Sequence, residues 1–88
     1  MGDALVVFKI FPEDMELLSQ IEESLRSINI NQITFKGLQK EPIGFGIEVI
    51  KVGYIVPDKT DGLMPLLEEA LAKINGVSQV EMAGVTLI

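Results

Sequence analysis

The chain has no cysteine and no histidine, and those two absences remove much of the usual chemistry. Without cysteine there is no disulfide, no thiolate nucleophile and no zinc–thiolate site. Without histidine it lacks the side chain most often used as acid or base near neutral pH, and the commonest metal ligand. Ser-His-Asp and Cys-His catalysis are therefore excluded within it. Tryptophan is also absent, and aromatic residues make up only 6%. Cations are scarce: seven Lys and Arg stand against thirteen Asp and Glu, a net charge of −6. Such a balance offers no basic surface to displace counterions from phosphates, so nucleic acid is not an expected direct partner. No apolar run approaches the roughly 18 residues of a membrane span. Met1-Gly2-Asp3 has no basic stretch leading into such a run, so no signal peptide is expected. Gly2 does not make a myristoylation site either, because Val6 stands where Ser or Thr is wanted. Carboxylates alone could hold Mg²⁺ or cleave a glycoside, but 88 residues seldom enclose such a cleft. The expectation is a small cytoplasmic protein that is not an enzyme, with no catalytic residue, metal site or cofactor.

What is present is a globular composition, 48% hydrophobic and 23% charged, with length for one domain, residues 1–88. Ala4–Phe11 reads as a buried strand whose even positions, Ala4, Val6, Phe8 and Ile10, face the core. Pro12 stops it and Asp14 is a fitting N-cap. Leu18, Ile21, Leu25 and Ile28 then recur with helical spacing, and Asn29 suits the left-handed residue beyond the helix end. Gln32–Lys40 has the polar mixture of an edge strand. The loop Glu41–Gly46 follows, and Ile47–Val56 is a β-branched run fit for a central strand. Pro57 and Asp58 end it, and Lys59–Gly62 make a turn. A second helix spans Leu63–Asn75, with Pro65 in its first turn and Gly76 closing it. Val77–Ile88 is a last strand, with Gly84 marking a bulge or bend.

The order is βαββαβ, and the chain echoes itself. Ile21-Glu22-Glu23-Ser24-Leu25 is matched by Leu67-Glu68-Glu69-Ala70-Leu71, and Pro12 and Pro57 both close a hydrophobic strand. Two βαβ halves with right-handed crossovers build a ferredoxin-like sandwich. Its sheet is four-stranded and antiparallel, with both helices on one face, strands one and three central and two and four at the edges. That architecture hosts many functions.

Pro42-Ile43-Gly44-Phe45-Gly46-Ile47 is the oddest stretch. Two glycines flank an aromatic where the second strand turns into the third, and a Phe so placed is badly sited to reach the core. One reading is a hairpin turn whose Phe folds back onto the sheet; the other is a projecting wedge for a partner's pocket.

This hexapeptide, after a polar strand and before a β-branched one, resembles the core motif of translation elongation factor 1-beta, the exchange factor of elongation factor 1-alpha. Met1-Gly2-Asp3, Pro12, Val56–Lys59 and the closing strand also fall where that family has counterparts, and the length looks like its archaeal form. The resemblance implies a ferredoxin-like fold and a guanine-nucleotide exchange factor that promotes GDP release and GTP reloading, with the GTPase elongation factor 1-alpha as partner. It further implies partner-binding roles for Pro42, Ile43, Gly44, Phe45 and Gly46, with Phe45 at the position of an aromatic that enters the partner. Family members from eukaryotes use a Lys just before their last residue at the partner's Mg²⁺ site. Here Leu87 stands there, followed by Ile88, so the terminal cation does not carry over. Either release runs mainly through the Phe45 end or another group substitutes, with the free C-terminal carboxylate, Lys59 and Lys73 as candidates; Leu87 and Ile88 remain candidate contacts.

Other features read more plainly. The pairs Glu22-Glu23 and Glu68-Glu69 are solvated helix faces that can steer encounter with a basic partner. Met15, Met64 and Met82 are gap-fillers. The odd faces of strands one and three (Leu5, Val7, Phe11, Ile47, Val49, Ile55) are apolar enough to suggest cover by a partner or by weak self-association. The rival function is an ACT-like small-ligand regulatory or oligomerisation module, which would place its ligand at the first strand–helix junction. Phe11-Pro12-Glu13-Asp14 offers two carboxylates and no glycine there. An acylphosphatase-like enzyme would need an Arg in that loop, and the only Arg is Arg26, within the helix.

Overall fold

The computed structural model describes residues 2–30, 32–57 and 62–87. In chain order they form β1 (Asp3–Pro12), a tight 3₁₀ turn (Met15–Leu17) that runs into α1 (Leu18–Arg26), β2 (Thr34–Gly44), β3 (Ile47–Pro57), α2 (Leu63–Ala72) and β4 (Val77–Leu87). The strands make one antiparallel sheet in the order β2-β3-β1-β4. The βαββαβ order and the central place of the first and third strands are as the sequence implies. The expected turn at Lys59–Gly62 falls mostly outside the described residues, as do Asp58 and the end of the last strand at Ile88.

Alternation decides which side of the sheet is core. Ala4, Val6, Phe8 and Ile10 of β1 and Ile50, Val52, Tyr54 and Val56 of β3 are all buried on one face. Leu18, Ile21 and Leu25 of α1, and Leu63, Leu67 and Leu71 of α2, pack onto them as one apolar cluster. Each such side chain, fully buried, contributes roughly 1.5–3 kcal/mol before conformational entropy is subtracted. Tyr54 is the largest fully buried residue and carries a polar atom inward. Its hydroxyl donates to the Leu25 carbonyl at 2.8 Å, and its ring meets Phe35 edge-on with centroids 5.9 Å apart.

The helix ends differ from the sequence reading in three places. Asp14 caps as expected, its Oδ1 accepting from the Glu16 N–H at 3.0 Å, but the turn it starts is 3₁₀ and becomes α-helical only at Leu18. The helix stops at Arg26 instead of reaching Ile28. The Ser27 N–H and hydroxyl both donate to the Glu23 carbonyl, at 3.1 and 2.9 Å, a local side-chain bond that ends the ladder. Asn29 is not left-handed; among the described residues of that link, Gln32 has positive φ, at 75°. In α2 the regular helix ends at Ala72, and single tight turns (Ile74 N–H to Leu71 O, 3.3 Å; Val77 N–H to Ile74 O, 3.2 Å) carry the chain to β4. Gly76 closes it with φ of 95°, and a Cβ there would lie 3.0 Å from Leu17 Cδ1.

The expected irregularity near Gly84 is a β-bulge. Val7 pairs with Gly84 but Phe8 with Met82, leaving Ala83 as the extra residue. On the far face of the sheet Leu5, Val7, Phe11 and Ile55 are half-buried, Val49 is fully buried and Ile47 is exposed. Gly37, Gly53, Val7 and Gly84 lie in one row across all four strands of that face.

Candidate functional site

The β2–β3 hairpin is longer and tighter than its sequence suggests. Where a six-residue loop at Glu41–Gly46 was expected after a strand ending at Lys40, β2 continues to Gly44. The pairing runs on through Glu41↔Val49, Pro42↔Glu48 and Gly44↔Ile47. Pro42 is tolerated because β2 is an edge strand, where a residue without an N–H need not break a ladder. An ion pair between Lys51 Nζ and Glu41 Oε2, 3.1 Å, ties the two strands together at the base of the arm. Only Phe45 and Gly46 remain as the turn. β1 pairs with β3 no further than Ile10↔Ile50, so Pro42–Ile47 projects past the central pairing.

Both turn residues have positive φ, 56° at Phe45 and 74° at Gly46. That combination matches the twist of the flanking strands and is normally filled by Asn-Gly or Gly-Gly. A Phe held there costs about 1–2 kcal/mol, because its Cβ crowds the following carbonyl. Nothing in the fold offsets this. The Phe45 side chain is fully exposed (102%), and beside it Ile43 and Ile47 are exposed by 48% and 42%. The ring does not fold back onto the sheet. Phe45 thus combines backbone strain with full exposure and contributes nothing to the core.

The residues singled out from the sequence do not form one site. Pro42, Ile43, Gly44, Phe45 and Gly46 lie together at the hairpin tip. Leu87 pairs with Ala4, which is level with Val56. Phe45 is eleven residues from Val56 along the β3 segment, about 36 Å at strand rise. Leu87 is therefore at the opposite end of the sheet, 68% exposed, and Ile88 lies outside the described residues. Lys59 is outside them as well, and the Lys73 ammonium is 2.7 Å from the Glu69 carboxylate one helical turn away. That contact holds the Glu69 carboxyl below its ordinary pKa.

Sequence reasoning missed Met82 and Val85. Met82 was expected to fill a core gap, but it is 47% exposed and Val85 is 53% exposed. Met15 and Met64 do pack against the core. The position of Ala83 as the extra residue was the missing information, since it sets which way the strand beyond it faces.

Among the described residues no group of three or more Asp and Glu side chains is placed to hold a metal ion, and no helix is long and apolar enough to cross a membrane. At the first strand–helix junction the Glu13 N–H donates to the Gly76 carbonyl at 2.8 Å. The Asp14 carboxylate is engaged with its own turn. The small-ligand alternative finds no support in this junction, whose groups are used within the chain.

Comparison with known proteins is consistent along the whole length. Residues 5–88 match the EF-1 guanine nucleotide exchange domain. Elongation factor 1-beta of Methanoculleus marisnigri is 36% identical over 88 residues, covering all of both chains. That of Metallosphaera sedula is 37% identical over 87 residues, 98% of this chain and 96% of the other. The Staphylothermus marinus protein of the same name is 34% identical over 86 residues, 97% and 96% of the two chains. Among solved structures, the C-terminal domain of the MgtC protein from Mycobacterium tuberculosis superposes with a TM-score of 0.52 at 19% identity, over 93% of this chain and 85% of that one. That likeness is one of fold alone.

Proposed function

The chain belongs to the family of the EF-1 guanine nucleotide exchange domain, and from that premise we propose how it promotes GDP release from elongation factor 1-alpha in translation. Exchange makes and breaks no covalent bond, so a chain without His or Cys is no worse equipped for it. What the task requires is binding energy that differs between the nucleotide-bound and nucleotide-free partner. If the factor weakens nucleotide binding, nucleotide must weaken the factor's binding by the same amount. GDP then leaves, and GTP reloading releases the factor.

The observation that carries the reading is Phe45: an aromatic at the tip of a projecting hairpin, fully exposed and held at φ of 56°. Gly44 and Gly46 leave room for close approach on either side, because nothing in the chain lies within 4 Å of where their Cβ atoms would be. An exposed aromatic is the side chain best suited to an interface anchor, giving much buried area for little entropy. The second contact is at the Leu87 end. With about 36 Å between the two, the factor grips its partner at two separate points. Glu23, Glu68 and Glu69 are exposed on the helices and favour approach to a basic surface, whereas Glu22, expected to be solvated, is half-buried and ion-paired with Lys40 at 3.3 Å and Arg26 at 4.0 Å. The working place that follows from translation elongation is the cytoplasm.

The test is release of a fluorescent GDP analogue from elongation factor 1-alpha. Substoichiometric amounts of the chain are expected to accelerate it, and Phe45→Ala to remove most of the acceleration with the fold intact. A native chain without effect on the authentic partner would overturn the reading.

A further inference from the structure

Strict alternation along β4 would put Met82, Gly84 and Thr86 on one face and Ala83, Val85 and Leu87 on the other. The bulge at Ala83 changes that. Met82 is level with Phe8, Val85 with Val6 and Leu87 with Ala4, so all three apolar side chains face the helix-bearing side. Bulges re-aim side chains at the expense of a regular ladder, and here the core does not benefit. Met82, Val85 and Leu87 remain 47%, 53% and 68% exposed. They lead out of a groove of about 440 Å³ between α2 and β4, floored by Phe8, Ala72 and Val80, with Glu68 on its α2 wall.

The strand that carries them is an open edge. β2, the other edge, is blunted by Lys36, Lys40, Glu41 and Pro42, devices that discourage strand addition. β4 carries a single charged residue, Glu81.

We propose that Met82, Val85 and Leu87 are an apolar docking strip for the partner GTPase, received by a surface of apolar side chains flanked by Lys or Arg. The inference rests on the exchange-factor reading and extends its second contact point from one residue to a strip about 13 Å long, the four-residue span from Ala4 to Phe8 beside it at strand rise. Charge selects this occupant over a second copy. Docking two chains of net charge −6 through this strip would bring like net charges and the two Glu68 carboxylates together, whereas a basic-flanked partner is attracted to them.

The experiment compares the native chain, Phe45→Ala and the double variant Met82→Ser/Val85→Ser in GDP release, measured against factor concentration. Thermal unfolding checks that both substitutions, at exposed positions, leave the fold in place. The double variant is expected to need at least tenfold more factor for half-maximal acceleration. Glu68→Lys, at the exposed α2 wall of the groove, is expected to raise that concentration too and to flatten its dependence on salt. If the native chain accelerates release and the double variant superimposes on it, the strip is overturned while the exchange reading stands. If the native chain sediments as a dimer that the double variant dissolves, with exchange per chain unchanged, the strip belongs to self-association and the proposal fails. No acceleration by the native chain would overturn the exchange reading, and the strip's assignment to that GTPase with it.

Discussion

The Tyr54 hydroxyl donates to the Leu25 carbonyl at 2.8 Å, from a central strand to the last turn of α1. Carbonyls of a last helical turn have no partner within the helix, and this one is met inside the core. That bond acts together with the packing of Leu18, Ile21 and Leu25 in holding α1 on the sheet.

Removing it with Tyr54→Phe leaves the Leu25 carbonyl only the longer bond from the Ile28 N–H, 3.5 Å, and is expected to destabilise the fold by about 1 kcal/mol, read by denaturant unfolding. The same residue gives a pH dependence. Burial raises the Tyr54 pKa above its ordinary value of 10.0. The unfolded chain therefore loses this proton first, and the residue's contribution is whole below pH 10 and declines as pH rises beyond it. Native protein should lose stability above that pH more steeply than Tyr54→Phe does.

Phe45 separates stability from activity. Asn tolerates positive φ and, followed by Gly46, makes the turn that a two-residue hairpin prefers. Phe45→Asn is expected to gain about 1 kcal/mol, a rise in Tm of roughly 4–8 °C for a domain of this size. The stimulated GDP release should fall about thirtyfold, as for the loss of an interface anchor worth ~2 kcal/mol. Calorimetry and the release assay on the same preparation check both halves.

Glycines at two places should respond in opposite ways. Gly76 has φ of 95° and a Cβ there would stand 3.0 Å from Leu17 Cδ1 and 3.3 Å from Leu17 Cβ. Gly76→Ala is expected to cost roughly 2–3 kcal/mol, from left-handed strain plus the displaced leucine.

Gly37, in β2, has no positive φ and open space where a Cβ would be. Gly37→Val supplies a β-branched residue to a strand and is expected to stabilise by about 0.5–1 kcal/mol. Thermal unfolding of the two variants beside native protein decides each.

Much of the fold was legible because two periods dominate the sequence. The even positions of β1 and the spacing of Leu18, Ile21 and Leu25 placed the core without reference to coordinates. The element ends were less legible. Ser27 terminates α1 through its own hydroxyl, and a serine followed by Ile28 reads from sequence like one more helical turn. The hairpin tip was visible as glycines around an aromatic. That Pro42 and Gly44 lie within a paired strand was not, since both are ordinary signals of a loop. Met82 and Val85 escaped for a different reason. Their facing depends on one unpaired residue, Ala83, and nothing local to the sequence says which residue of a strand will be left over.

The position of Phe45 bears on how such a protein can change over generations. No core contact depends on its ring, and the turn it occupies favours other residues. On the reading proposed above, the ring at 45 is screened by the partner and its backbone only by the turn, while the buried set around Tyr54 is screened by folding. Recognition and foldability can drift separately in this chain, and a change of partner at the tip need not pass through an unfolded ancestor.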